Sequence, residues 1–434
     1  MDTIFSLSSG ALPSGVAVVR ISGPQARDVF QLFSADAPDV RQASLISLLD
    51  PETGDTLDRC LALLFVGPAS FTGEDVVELQ LHGSRAVVSR VLSVLASQPG
   101  CRPAVAGEFT RQAFENGKMD LTAVEGLGDL LTAETEQQRR YAVEQSDGRL
   151  GNALEVLRND VLQVLAVLEA SLEFADEEDV PEDGLSVISE PLRDLAQSFD
   201  EILQTFNTGR IIRDGYRVAL IGRPNVGKSS LLNALSGSDR AIVTDEEGTT
   251  RDLIEVELDV DGFLVRLSDT AGIRDADGIA EKEGIRRSLL ASQSADLVLL
   301  LSCADIPEVE IEHPNVLRVL TKADLVEPHT REQATPDVRV SSTTLEGVRD
   351  VLSVISENLQ RVPTVEGALI NRERHRASLT EARDALEKSS QLGLEHDIRA
   401  EHLRMCAQAV GRLTGRVDPE EILDRVFQGF CIGK

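Results

Sequence analysis

The chain has no tryptophan and two tyrosines, and only six of its 43 basic residues are lysines. Acidic residues number 73, for a formal charge of −30. So negative a surface repels phosphate backbones at long range, so a nucleic acid must meet a local basic patch or a partner's surface. No apolar run approaches the ~18 residues of a membrane span, so none is expected. The start, Met1-Asp2-Thr3-Ile4, lacks the basic-then-apolar order of a secretory signal. Five cysteines (Cys60, Cys101, Cys303, Cys406, Cys431) are odd in number, scattered and free of C-x-x-C spacing. That pattern speaks against a disulfide framework and for reduced thiols in a cytoplasmic protein. At 434 residues the chain has length for two or three domains.

What is present centres on Gly222-Arg223-Pro224-Asn225-Val226-Gly227-Lys228-Ser229. This stretch fits G-x-x-x-x-G-K-[ST], follows the apolar run Arg217–Ile221 and precedes Ser230–Leu235, whose leucine spacing suits a helix. A loop between strand and helix aims successive backbone N–H groups into one concavity and adds the positive helix end, which suits polyphosphate. Lys228 is then placed to neutralise β/γ phosphates and Ser229 to ligate Mg²⁺.

Residues 1–117 read as α+β, with strands at Val16–Ile21, Leu61–Val66 and Val76–Leu81 and a helix at Arg85–Ala96. From 118 to 209 the period turns helical: Leu154, Leu157, Val161, Leu165, Leu168 and Leu172 step by three or four, as do Leu192, Leu195, Phe199, Ile202 and Phe206. Asp176–Gly184 between them reads as a solvated acidic connector. Residues 210–360 alternate strand and helix, hence a doubly wound sheet. Strands are expected at Leu253–Val260 and Phe263–Ser268, joined by the hairpin signal Asp261-Gly262, then at Asp296–Leu301, Val316–Thr321 and Val338–Ser341. Helical texture returns over 361–434, in Ala377–Lys388 and Ile398–Leu413, while Arg372–Arg376 reads as a solvated helix face. Helices on both sides of the P-loop segment suggest one bundle interrupted by an inserted domain.

Further motifs follow the P-loop in GTPase order. Gly248-Thr249-Thr250-Arg251-Asp252 precedes a strand, and Asp269-Thr270-Ala271-Gly272 ends the next. Thr250 is expected to close on Mg²⁺ and γ-phosphate, Asp269 to hold the metal's water shell and Gly272 N–H to sense the γ-phosphate. Thr321-Lys322-Ala323-Asp324 stands where such proteins usually carry Asn-Lys-x-Asp. The Asp324 carboxylate accepts from guanine N1 and N2 hydrogens, a pattern adenine lacks, and Lys322 can cover the base. Thr321 in place of Asn is expected to weaken one polar support, and Ser341-Ser342 forms the last base loop. Gly272 is followed by Ile273, which cannot orient a water as the glutamine of Ras does. Arg274, Asp275, Asp277, Glu281 and Glu283 are all within reach.

Taken together with Asp2-Thr3-Ile4, Val19–Gly23, Ser70–Leu79, Gly107-Glu108-Phe109, Asn116–Leu121 and Phe430-Cys431-Ile432-Gly433-Lys434, these motifs make the chain resemble, end to end, the MnmE (TrmE) family of tRNA modification GTPases. The resemblance implies an α+β tetrahydrofolate-binding and dimerisation domain (1–117), then a helical bundle (118–209 and 361–434) interrupted by an inserted Ras-like P-loop G domain (210–360). It also implies a homodimer that works with the FAD-containing MnmG (GidA) in a heterotetrameric or larger complex. That complex adds an aminomethyl-type (carboxymethylaminomethyl) group to C5 of the wobble uridine of certain tRNAs, from a 5-formyl- or 5,10-methylene-tetrahydrofolate carbon.

By the same resemblance, GTP/GDP contacts fall on Asn225, Val226, Gly227, Lys228, Ser229 and Ser230. They continue on Thr244, Asp245, Glu246, Glu247, Gly248, Thr249 and Thr250, on Asp269, Thr270, Ala271 and Gly272, and on Lys322, Asp324, Ser341 and Ser342. Hydrolysis would use K⁺ where other GTPases use an arginine finger, held by Asn225, Thr244, Glu246 and Thr249 once G domains pair. Glu281 takes the water-orienting role. Folate contacts fall on Arg20, Glu78, Lys118 and Lys434, and Cys431 is tied to the modification chemistry. A terminal Cys tail also resembles a prenylation signal, but Gly433 and Lys434 fit that poorly. The rival function is a GTPase switch in ribosome assembly or another RNA process, which a KH-like GXXG loop or a basic stripe would favour. Neither is present.

Overall fold

A computed structural model describes residues 2–34, 38–173, 184–242, 255–269, 292–325, 336–363, 365–417, 426–427 and 429–433. In chain order its elements are β1 (Thr3–Leu7), β2 (Ser14–Ser22), α1 (Ala26–Gln31), β3 (Ser44–Leu49), β4 (Thr56–Phe65), β5 (Val76–Gly83), α2 (Arg85–Ala96), β6 (Cys101–Pro103) and α3 (Glu108–Glu115). Five helices follow, α4 (Leu121–Leu131), α5 (Glu136–Ser146), α6 (Arg149–Glu173), α7 (Gly184–Gln204) and α8 (Phe206–Asp214). Then come β7 (Tyr216–Ile221), α9 (Lys228–Ser236), β8 (Glu255–Val260), β9 (Phe263–Asp269), β10 (Leu297–Ser302), β11 (Val316–Leu320), β12 (Val338–Arg339), α10 (Val348–Leu359), α11 (Glu373–Ser389) and α12 (His396–Leu413). The chain divides into one unit of Met1–Gly128, Glu144–Leu195 and Asp384–Lys434, and another of Asp129–Val143 and Ala196–Arg383.

In the first unit a six-stranded sheet runs β3-β4-β5-β2-β1-β6, antiparallel except that β6 lies parallel to β1. Alternation along β5 sends Val77, Leu79 and Leu81 into the core, where α2 adds Val88, Val91 and Leu95. Glu78 and Gln80 therefore face the other way. Helices from both sides of the P-loop segment meet here, since α6 packs on α12. Leu154, Leu157, Val161 and Leu168 of α6 are buried, as are Leu403, Cys406 and Val410 of α12. The fold is thus a multidomain α/β and α one, with a bundle that the G segment interrupts. Near the C-terminus, Phe427 and Phe430 cluster with Leu121 and Val124, and Ile432 bridges antiparallel to Ala106.

The second unit holds a sheet ordered β12-β11-β10-β7-β9-β8, parallel apart from the antiparallel edge strand β8. Continuous apolar runs such as β10, buried at all six positions, suit a parallel sheet covered on both faces. The expected Asp261-Gly262 hairpin is present: Val260 pairs with Phe263, and both turn residues have positive φ, 56° and 83°. Left-handed conformations at both positions make a type I′ turn, which Asp-Gly favours.

The entry and exit of the G segment are pinned side by side in this unit. Thr205 Oγ1 accepts from Leu369 N (3.1 Å) and Ile370 N (3.3 Å). Asp129 accepts from Arg213 Nε (3.1 Å), Arg372 Nη2 (2.7 Å) and Asn371 Nδ2 (3.3 Å). The solvated-face expectation for Arg372–Arg376 is thereby corrected: Arg372 reaches a carboxylate, His375 is buried, and the Arg376 guanidinium lies 4.8 Å from the Phe206 ring centre. Helical spacing placed most of these residues on a helix but could not name the partners, Asp129 and Phe206, which lie far away in sequence.

Candidate nucleotide site

The P-loop joins the end of β7 to the start of α9. Two of its positions have no room or conformation for a larger residue. A Cβ on Gly222 would stand 2.7 Å from Leu301 O, and Gly227 caps α9 at φ 104°. Asn225 also takes positive φ, 63°, which asparagine tolerates better than most residues.

Lys228 is buried and its Nζ donates to Gly222 O (2.8 Å) and Arg223 O (3.2 Å). Burial pulls its pKa below the ordinary lysine value, and Asp269 opposes that pull. An ammonium held by loop carbonyls in a confined site is poised to exchange them for phosphate oxygens. Beside it, Ser229 Oγ donates to Asp269 Oδ2 over 2.8 Å. Asp269 is fully buried and ends β9, paired with Leu220 of β7. The parallel register therefore delivers an ammonium, a hydroxyl and a carboxylate to one sheet end, where doubly wound folds bind ligands.

The base-side loops stand next to this cluster. Lys322, at φ 54°, donates from Nζ to Asn225 O over 2.8 Å. Asp324 is exposed in a 3₁₀ turn, Ala323–Leu325. Ala323 N donates to Val340 O (3.1 Å), tying that turn to the strand end before Ser341-Ser342. Ser341 is buried and its Oγ accepts from Thr344 N (3.1 Å).

Thr321 carries more than sequence reasoning assigned to it. It is 1 % exposed, and its Oγ1 brings one proton within reach of two carbonyls, Val226 O of the P-loop and Ser302 O (2.9 Å). Its role here is to hold the P-loop, and the only sequence signal was its departure from the usual Asn. Among the remaining site expectations, Thr244, Asp245, Glu246, Glu247, Gly248, Thr249, Thr250, Thr270, Ala271, Gly272, Glu281 and Lys434 lie outside the described residues.

In the other unit, Arg20 and Glu78 pair directly across β2 and β5, Nη2 to Oε1 at 2.8 Å. The Arg20 guanidinium also lies 5.7 Å from the Phe71 ring centre and 5.6 Å from that of Phe109. Lys118 Nζ donates to Pro68 O (2.9 Å), so the loop carrying Phe71 is gripped by both basic residues. Exposed Cys431 accepts, through its backbone oxygen, a long 3.5 Å bond from Gly107 N, two residues before Phe109. Arg20, paired with Glu78, and Lys118 thus meet the loop of Pro68 and Phe71, while the Cys431 segment meets the turn before α3. Among the described residues no cluster of metal-binding side chains occurs, and no helix is long and apolar enough to cross a membrane.

A parallel sheet whose strand ends carry a P-loop, a serine-aspartate pair and a Lys-x-Asp turn defines a P-loop G domain, and the chain is a GTP hydrolase. Two family models match, one described as the GTP-binding protein TrmE N-terminus over residues 3–118 and one as the MnmE helical domain over 121–431. Curated relatives named tRNA modification GTPase MnmE span it throughout. The protein of Rhizobium meliloti is 46 % identical over 100 % of this chain and 99 % of its own. That of Azorhizobium caulinodans is 45 % identical over 100 % and 99 %, and that of Chelativorans sp. 47 % over 100 % and 98 %. The chain belongs to the MnmE family of tRNA modification GTPases. With that membership comes dependence on guanine nucleotide and Mg²⁺.

Proposed function

We propose that this protein is a K⁺-activated, dimerisation-dependent GTPase that, with an FAD-containing partner of the MnmG kind, modifies C5 of the wobble uridine of certain tRNAs with a folate-borne carbon. Domain limits of 1–117, 118–209, 210–360 and 361–434 go with this reading. The observation that carries the GTPase part is the junction of Lys228, Ser229 and Asp269 beside a helix N-terminus.

These residues fit Mg²⁺ and GTP. Because Ser229 Oγ gives its proton to Asp269, its lone pairs are left for a hard cation, and Asp269 keeps a second carboxylate oxygen for the metal's water shell. Mg²⁺, when bound, would neutralise charge between the β and γ phosphates. Lys228 would bind the same phosphates, and the α9 N-terminus would orient them. Asp324 would read the guanine edge while Lys322 covers it. Asn225, exposed at the loop's crest, offers an amide oxygen suited to a large, weakly hydrated cation such as K⁺. Thr244, Glu246 and Thr249 complete the proposed ligand set, Thr250 joins Ser229 on Mg²⁺, and Glu281 orients the attacking water.

The folate reading is supported by the Arg20 cluster. A guanidinium between two phenyl rings, with exposed Phe71 on one side, offers an aromatic face and a charge to a pterin-glutamate ligand. Glu78 would exchange Arg20 for the pterin amino group, and Lys118 would meet a glutamate carboxylate. Cys431, whose backbone oxygen accepts from Gly107 N, is the proposed participant in modification.

The test is a coupled reaction: the full chain, the FAD-containing partner, unmodified tRNA, 5,10-methylene-tetrahydrofolate, glycine or ammonium as the amine donor, K⁺, Mg²⁺ and GTP. Modified wobble uridine that depends on GTP, and is lost in Cys431→Ser without loss of GTPase activity, is expected. GTP turnover with no tRNA product under any of these conditions would leave a nucleotide switch instead.

A further inference from the structure

One strand connects the nucleotide site to a helical segment. β9 ends at Asp269, bonded to Ser229, and begins at Phe263, in the turn with Asp261 and Gly262. Between these ends it is hydrogen-bonded on both sides, to β7 and β8. A strand clamped twice has little freedom to bend, so displacement at one end reaches the other.

The far end is partly covered: Asp261 is exposed, while Gly262 and Phe263 are half-buried. Gly262 O accepts from Gln137 N (3.1 Å), in the first turn of α5, and a Cβ on Gly262 would meet Gln137 and Glu136 within 4 Å. Phe263 packs against two apolar clusters at once. One is the G-domain core, and the other consists of Tyr141, Ile212, Val365 and Ala368. Tyr141, also on α5, donates to Leu369 O over 3.1 Å. Beside these contacts lies a polar cavity of about 370 Å³, lined by Glu134, Gln138, Tyr141, Arg213, Leu264 and Arg266 among others. Glu134 titrates above the usual carboxylate range, first through burial and then through the neighbouring Glu257 carboxylate of β8. A polar, charged cavity along one flank leaves room for the turn to shift without emptying or overfilling an apolar core.

We propose that the Asp261–Phe263 turn, seated on the first turns of α5, transmits the state of the nucleotide site to that helix, with Phe263 as the positioning residue. The proposal rests on the GTPase reading above and gives that site a mechanical output. Phe263 touches neither nucleotide nor metal; it acts by holding the turn against Tyr141.

Amide exchange of the full chain, read by mass spectrometry on peptides covering residues 134–141, tests it. Samples are saturated with GDP or with guanosine 5′-(βγ-imido)triphosphate, and saturation is confirmed independently with fluorescent analogues. In the wild type the exchange rate of this segment should differ at least several-fold between the two nucleotides, while α2 of the other unit should not change. Phe263→Ala should bind both nucleotides as the wild type does yet lose the difference. Phe263→Leu, which keeps most of the packing should the alanine variant fail to fold, should shrink it. Identical exchange in both nucleotide states of the wild type, or a difference undiminished in a folded Phe263 variant, overturns the proposal. Failure of either nucleotide to bind would instead remove the GTPase reading beneath it.

Discussion

Ser229 Oγ gives its proton to Asp269 Oδ2 across 2.8 Å, joining the helix that follows the P-loop to the end of the neighbouring strand. That bond fixes which serine lone pairs remain for a metal. Ser229→Ala removes the ligand and leaves Asp269 buried without this donor. Loss of metal-borne charge stabilisation amounts to several kcal/mol, so kcat/KM for GTP should fall on the order of 10³-fold. GDP affinity in EDTA should change little. Mg²⁺-dependent turnover within threefold of the wild type would remove Ser229 from the metal's coordination.

Thr321 supplies one hydroxyl proton near two carbonyls, those of Val226 and Ser302. Thr321→Val deletes that donor and leaves Val226 O bare in a buried place, at a cost of about 1–3 kcal/mol. GTP and GDP affinities should both drop, by roughly tenfold, measured by fluorescence titration. Thr321→Asn brings two N–H donors and should match or exceed the wild type. Unchanged binding in the valine variant would mean that the P-loop holds its shape without this tether.

Asp324 stands exposed in its turn, ready to accept from a base edge. Asp324→Asn should turn preference from guanine toward xanthine nucleotides, by more than tenfold in the ratio of dissociation constants. An unaltered ratio would put base reading elsewhere.

In the N-terminal sheet domain Asp50 receives Arg90 Nε (2.7 Å) and Nη2 (2.9 Å) and Glu52 N (2.9 Å). The Arg90 hydrogen bond, then that of Glu52 N–H, lowers its pKa from 3.8 to about 2. A carboxylate lowered in the folded state contributes stability above its unfolded pKa and loses it as pH falls through the folded value. The contribution is therefore complete above pH 3.8 and fades toward about 2. Urea midpoints of Asp50→Asn and the wild type should converge across that window and separate above it. Parallel curves from pH 2 to 6 would show that the pair does not titrate with folding.

Much of this was legible beforehand because the signals were local. Val76–Leu81 and Arg85–Ala96 declared β5 and α2 by period alone, and Asp261-Gly262 announced its hairpin through left-handed turn chemistry. Strand β1 and the short β6 gave no comparable signal: β6 owes its place to pairing with β1 across about a hundred residues, and β1 also to the register with β2, not to pattern. The nucleotide motifs likewise named Lys228, Ser229 and Asp269 but not the bond between the last two. Arg20 and Glu78 were singled out for a ligand, whereas the β2–β5 register joins them to each other. Partners set by register or by long-range packing, such as Asp129 with Arg372 or Phe263 with the cluster of Tyr141, Ile212, Val365 and Ala368, leave no mark in a single sequence.

The most direct measurement is steady-state GTP hydrolysis by the full chain in K⁺ and in Na⁺ at matched ionic strength, with association state followed by sedimentation. A cation held at Asn225 between paired G domains predicts turnover at least tenfold faster in K⁺, together with K⁺-dependent pairing in a transition-state mimic. Equal rates in the two salts, with no change of association, would contradict it.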